Sequence, residues 1–124
     1  EGKDNVKILN NMLTTEVSSS TASILDVEDS RNVTIRNNNI NVIANGSTAH
    51  VIGFRGNNAN IDFSNNSLNI GGTAATLRTY LFAGGVTINN LTGTGNTSNL
   101  VNCYYSVGYT ITGSIETNGN ISCP

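Results

Sequence analysis

The sequence predicts an all-β chain folded as a solenoid of about 4–5 coils, with three short strands per coil. Three observations carry that expectation. A short motif recurs along the chain. Each of its strands alternates apolar and polar residues. The composition favours strands and tight polar corners.

The recurring motif is clearest in Asn32-Val33-Thr34-Ile35-Arg36-Asn37-Asn38-Asn39-Ile40-Asn41-Val42. Copies stand at Asn5 to Leu13, at Asn60 to Ile70, at Val86 to Leu91 and, in worn form, at Tyr109 to Ile115. Aligning Ile8, Ile35, Phe63, Ile88 and Ile111 gives spacings of 27, 28, 25 and 23 residues. A fixed period of this length marks a repeat architecture. A third strand recurs before each motif: Ile24 to Val27, Val51 to Phe54, Tyr80 to Phe82, and Val101 to Tyr104.

Strands this short cannot form a stable sheet alone. Stacked coil on coil, each can pair in parallel with its copy one repeat away. Val6, Val33, Ile61 and Val86 then form one inward ladder, and the five aligned residues form another. Lys7, Thr34, Asp62, Thr87 and Thr110 form the outward one, since successive side chains point to opposite faces. At about 4.8 Å per strand, five coils make a rod roughly 20–25 Å long.

Asparagine explains the corners. The chain holds 22 Asn and a single Pro. A sharp angle between strands needs a left-handed residue, which Asn or Gly adopts cheaply. Stacked Asn amides can also hydrogen-bond along the stack. The expected structural ladder is Asn10, Asn37, Asn65 and Asn89, with Asn11, Asn38, Asn66 and Asn90 beside it. The coils are expected over residues 1–115, with 116–124 as a C-terminal cap or tail.

The bulk numbers exclude several classes. Charged residues are 11% of the chain and the net charge is −2, so there is no footprint for nucleic acid. No apolar run reaches the length of a membrane span. No signal peptide is visible, and a start at Glu1 instead of Met suggests a fragment or a processed product. Cys103 and Cys123 have no metal-ligand spacing. They could form one disulfide, but two ordinary thiols is the favoured reading. No cofactor is expected.

The repeat resembles right-handed parallel β-helix proteins, the pectate-lyase-like superfamily, over about residues 4–115. That group includes pectin-degrading enzymes, phage tailspikes and bacterial surface adhesins. Phe54-Arg55-Gly56-Asn57-Asn58-Ala59 and Gly84-Gly85-Val86 are also similar to repeats of polymorphic outer-membrane adhesins. The resemblance implies a non-enzymatic module of a tailspike or tail-fibre-like protein, at a virion tail or bacterial surface. Its expected partner is a bacterial surface polysaccharide, and a homotrimer would cover its open ends. The alternatives are a fragment of a polysaccharide lyase or glycoside hydrolase, or an adhesin passenger. Six Asn-x-Ser/Thr triplets occur, but those at Asn65 and Asn90 fall in the expected corner ladder, where a glycan would not fit. A bacterial or phage source is therefore favoured over a eukaryotic secreted one.

Chemistry is sparse. Of the acids, Asp26, Glu28 and Asp29 are close in sequence. They read as an acidic corner beside Arg31, and cation ligation or an acid pair is the sharper alternative. Stacking places Gly53 and Leu81 above Asp26, so neighbouring coils add no carboxylate there. Asp62 reads as a surface ladder position and His50 as a surface histidine. No catalytic residue and no metal site is assigned. Thr14 to Ala22, Ala44 to His50, Gly71 to Arg78 and Gly93 to Asn99 are variable, and such insertions tend to share a binding face. Among the tyrosines, Tyr80 and Tyr104 are expected inside and Tyr105 outside. The candidate glycan-binding residues are Asp26, Glu28 and Tyr105.

Overall fold

The computed structural model describes residues 2–18, 21–46 and 48–123. Glu1, Ser19, Ser20, Ser47 and Pro124 lie outside the described residues, so the expectations that touch them are left there. Thirteen strands and no helix occur among the described residues. They are β1 (Lys7–Leu9), β2 (Met12–Val17), β3 (Thr21–Glu28), β4 (Arg31–Arg36), β5 (Asn39–Ala44) and β6 (Thr48–Arg55). There follow β7 (Asn57–Ser64), β8 (Ser67–Gly71), β9 (Thr76–Phe82), β10 (Thr87–Ser98), β11 (Cys103–Tyr105), β12 (Thr110–Thr117) and β13 (Asn120–Cys123).

The strands stack in parallel as a β-solenoid with three faces. The first face runs β1-β4-β7-β10-β12, the second β2-β5-β8 with the end of β10, and the third β3-β6-β9-β11. The structure has about three complete turns, fewer than the 4–5 expected. β10 runs unbroken through a corner that earlier coils divide into two strands, and it serves both the first and the second face. At the far end β13 turns back antiparallel along β12, and a disulfide ties Cys123 to Cys103 on β11. The favoured reading of two separate thiols is thus corrected. The two sulfurs meet because β13, turned back along β12, brings the Cys123 Cα to 6.1 Å from that of Cys103 on β11, a contact that spacing alone does not reveal.

The interior is built from columns of like residues. On the first face Ile8, Ile35 and Phe63 stand in register, then Gly93 and Ile115. A Cβ at Gly93 would lie 2.5 Å from the Phe63 carbonyl oxygen, so only glycine lets the strands approach there. On the third face Leu25, Ile52 and Tyr80 align, as do Val27, Phe54, Phe82 and Tyr105. The Phe54 and Phe82 rings stack at 5.1 Å, Phe82 and Tyr105 at 4.9 Å, and Tyr109 closes the row at 5.0 Å from Tyr105. Each such pair adds about 0.5–1.5 kcal/mol beyond its buried area.

The fourth motif copy sits in a different register from the one the sequence suggests. Ile88 pairs with Asn58, and it is Leu91 that stands opposite Ile61. The outward row is therefore Lys7, Thr34, Asp62 and Thr92, while Thr87 pairs with Asn57 and Thr110. The cause is the length of β7. It pairs with β10 from Asn57 onward, so Val86 to Leu91 covers the turn before the repeat motif as well as its start.

The corners divide two jobs between adjacent residues. Asn10, Asn37 and Asn65 have φ of 59°, 58° and 55°, and Gly95 continues the series at 68°. The next residue builds the amide ladder. Asn11 Nδ2 donates to Asn38 Oδ1 at 3.3 Å, Asn38 Nδ2 to Asn66 Oδ1 at 3.0 Å, and Asn66 Nδ2 to Asn96 Oδ1 at 3.2 Å. Each of these Oδ1 atoms also accepts the backbone N–H of the previous coil's Asn, and Asn38 and Asn66 donate back to Ile8 and Ile35 carbonyls. Asn89 does not join either set: it pairs with Ala59, and the fourth rung is Asn96.

A second ladder, not foreseen, runs along the exposed edge where the chain enters the first face. Asn5, Asn32, Asn60 and Asn90 all have positive φ. Here the later residue donates: Asn32 Nδ2 to Asn5 Oδ1 at 3.2 Å, Asn60 to Asn32 at 2.9 Å, and Asn90 to Asn60 at 3.1 Å.

Two outcomes test this account. Asn66→Ala takes the Oδ1 acceptor from the buried Asn38 N–H and from the Asn38 side-chain amide, and each such orphan costs about 1–3 kcal/mol. Urea unfolding is expected to show a loss of about 3–5 kcal/mol, whereas Asn65→Gly, at a positive φ, changes stability by less than about 1 kcal/mol. Reducing the Cys103–Cys123 bridge, which spans 20 residues, removes about 3 kcal/mol by the same measurement.

Candidate functional site

The third face gathers most of the chemistry. Along its outer surface Asp26, Gly53, Leu81 and Tyr104 form one row across the four stacked strands β3, β6, β9 and β11. Ser23, His50 and Arg78 stand in register beside it, and Glu28 and Arg55 pair at the strand ends. The rows converge because Gly53 has no side chain. A Cβ there would lie 2.3 Å from Asp26 Oδ1 and 3.0 Å from His50 Nε2.

Asp26 is the hub. Its Oδ2 accepts from Ser23 Oγ at 2.6 Å, and its Oδ1 lies 3.5 Å from Arg55 Nε and 3.7 Å from His50 Nε2. The basic group brought to the acidic corner is thus Arg55 of the next coil, not Arg31. Glu28 is exposed beside Arg55. Asp29 serves the backbone: it has φ of 47° and its Oδ1 accepts from Asn57 N–H at 2.8 Å. Asp62 is held by Arg36 and by the Ser64 hydroxyl.

His50 is buried, with 1% of its surface exposed, which corrects its expected surface position. It lies mid-strand between Ser23 and Arg78, in space that Gly53 leaves open. Among the described residues neither ring nitrogen has a hydrogen-bond partner, because 3.7 Å to Asp26 exceeds bonding distance. Burial pushes its pKa below the usual 6.5; the Asp26 carboxylate opposes that shift, and Arg55 and Arg78 reinforce it. Ser23 donates to Asp26 and not to His50, so His50 does not activate the Ser23 hydroxyl as a nucleophile.

The two late tyrosines exchange their expected places. Tyr105 aligns with Phe82 and packs into the inner ring stack, its hydroxyl buried without a partner among the described residues and its pKa pushed up to about 12 by burial. Tyr104 aligns with Leu81 and is 43% exposed. The Arg78 guanidinium lies 3.7 Å from its ring centroid, a contact of about 0.5–1 kcal/mol at an exposed site. Tyr80 is inside as expected, its hydroxyl 2.6 Å from Thr117 Oγ1. The signal for Tyr104 was available: aligning Tyr105, not Tyr104, with Phe82 and Phe54 gives the correct parity.

The variable segments are mostly strand. Thr14 to Val17, Thr48 to His50, Thr76 to Arg78 and Gly93 to Ser98 lie in β2, β6, β9 and β10. The candidate site is therefore carried by a sheet face instead of by loops. Among the described residues no group of three or more His, Cys, Asp or Glu is placed to hold a metal ion. No helix is long and apolar enough to cross a membrane among those residues. Comparison with protein-family models, curated proteins and solved structures finds no match to this chain.

Since the folded His50 pKa lies below the unfolded value of about 6.5, the unfolded chain takes up the proton first as pH falls. The neutral ring's contribution is complete above about pH 6.5 and declines as pH drops through the folded value. Unfolding followed between pH 8 and 4, as approximate limits, is expected to show this decline, and His50→Gln to flatten it. Tyr105→Phe removes an orphaned hydroxyl while keeping the ring stack, and is expected to be neutral or stabilising by up to about 1 kcal/mol.

Proposed function

We propose that this chain is a non-enzymatic β-solenoid module of a tailspike or tail-fibre-like protein, acting as a rigid shaft and as a binder of host-surface glycan. One observation carries the binding half of this reading. Asp26, Glu28, Arg55, Arg78 and Tyr104 share the outer surface of the third face. An exposed aromatic ring with carboxylate acceptors and guanidinium donors around it is the mixture that engages both faces and hydroxyls of a sugar. The shaft half rests on in-register columns and amide ladders, which resist bending and leave few backbone groups open to proteases. The virion-tail or cell-surface setting rests on the repeat's resemblance to tailspikes and adhesins.

The carboxylates also weigh against a hydrolase. A glycosidase needs an acid and a base or nucleophile flanking one bond. Asp26 is engaged by Ser23 and Arg55, Asp29 by a backbone N–H and Asp62 by Arg36, each on its own stretch of surface.

The test is a panel of bacterial surface polysaccharides assayed for both retention and new reducing or unsaturated ends. Retention without new ends, weakened at least about tenfold by Tyr104→Ala and little by Tyr105→Phe, is the expected result. New ends would move the chain to the polysaccharide-degrading enzymes. Absence of retention across the panel would remove the binding half and leave the shaft.

A further inference from the structure

Charge is unevenly spread along the third face. Its acids, Asp26 and Glu28, both stand on β3. The next three strands, β6, β9 and β11, carry no acid and hold Arg55 and Arg78. Arg55 leans back to Asp26, its Nε 3.5 Å from Oδ1 of a carboxylate that the Ser23 hydroxyl also engages. Arg78 has no such partner. Among the described residues it makes no ion pair, and its strand lies two strands from β3, about 10 Å along the stack.

Arg78 is nevertheless held in place. Its guanidinium lies 3.7 Å from the Tyr104 ring centroid, and Tyr104 stays 43% exposed with the cation there. The ring is fixed in turn by its strand, since β11 pairs with β9 and the neighbouring Cys103 is tied to Cys123. A stacked guanidinium keeps its planar fork of donors and has little freedom left to lose on binding. The basic end of the face thus presents one positioned, uncompensated cation beside one exposed aromatic ring.

We propose that the glycan taken by this face is acidic: a uronic-acid polysaccharide, with one sugar carboxylate on the Arg78 guanidinium and that sugar's ring against Tyr104. The inference rests on the glycan-binding reading above and adds to it the class of sugar. A carboxylate is planar and matches the guanidinium fork bidentately. It brings one negative charge for the one cation left unpaired. A phosphate monoester would bring nearly two, and Arg55 is already committed to Asp26. Asp26 and Glu28, at the other end of the face, are left to accept hydroxyls of neighbouring sugars without opposing the carboxylate.

The test runs the panel of bacterial surface polysaccharides in matched forms. Uronic-acid polymers are compared with the same polymers after carboxyl reduction, which turns each carboxylate into a primary alcohol and keeps rings and linkages, and with neutral polymers. Retention of uronic-acid polymers, weakened at least about tenfold by carboxyl reduction, is expected. Arg78→Gln should weaken retention of the native polymer to the same degree and leave that of the reduced polymer unchanged, with an unaltered circular dichroism spectrum. Arg78→Lys, which keeps the charge and loses the fork, should restore only part of it. Arg31→Gln, at an exposed cation on the first face, should change neither. Retention of neutral polymers alone, or retention that survives carboxyl reduction or Arg78→Gln, would overturn this inference and leave the glycan-binding reading standing. So would an equal loss with Arg31→Gln, which would trace the preference to overall charge. No retention of any polymer would overturn both.

Discussion

The whole molecule depends on satisfying backbone and corner polar groups between coils. A coil of three short strands turns sharply three times, and each turn leaves N–H and C=O groups with no strand partner. Buried groups of this kind must be paired. Here the Asn11–Asn38–Asn66–Asn96 ladder does so at one corner, each amide serving the coil before and the coil after. At another corner Ser30 and Asn58 work alike, with Asn58 Oδ1 accepting the Ser30 N–H at 2.9 Å. Because every rung serves its neighbours, coil spacing and register are set together.

That constraint fixes what can stand on the surface. With register locked, one residue per coil reaches any given outer row. A functional group must therefore be assembled from residues about one repeat apart. Asp26, Gly53, Leu81 and Tyr104 are such a row. The glycine in it lets the neighbouring His50 sink against the strand and brings Asp26 near Arg55. Packing and site are thus one arrangement, and it includes the buried His50 ring, unpartnered among the described residues.

Much of the fold was legible in the sequence because periodicity and strand geometry are local. The column Ile8, Ile35 and Phe63, the placement of Gly53 and Leu81 over Asp26, and the asparagine corners all follow from spacing and alternation. The later coils were less legible. Side chains alternate with period two, so an alignment slip of one residue reverses their faces. Aligning Tyr104 with Phe54 reversed Tyr104 and Tyr105. A longer slip put Ile88 in the Phe63 column and Asn89 in the ladder.

The sequence by itself determined the architecture: parallel strands, polar corners and an apolar interior, since each depends on residues a few positions apart. Tertiary structure alone decided the rest. It buried His50 between strands from the coils on either side, paired Asp26 with Arg55 across a coil boundary, and closed Cys103 on Cys123. It also gave the two ladders flanking β1 opposite polarity. Each of these depends on which atom of one coil meets which atom of the next, and repeat spacing carries no record of that.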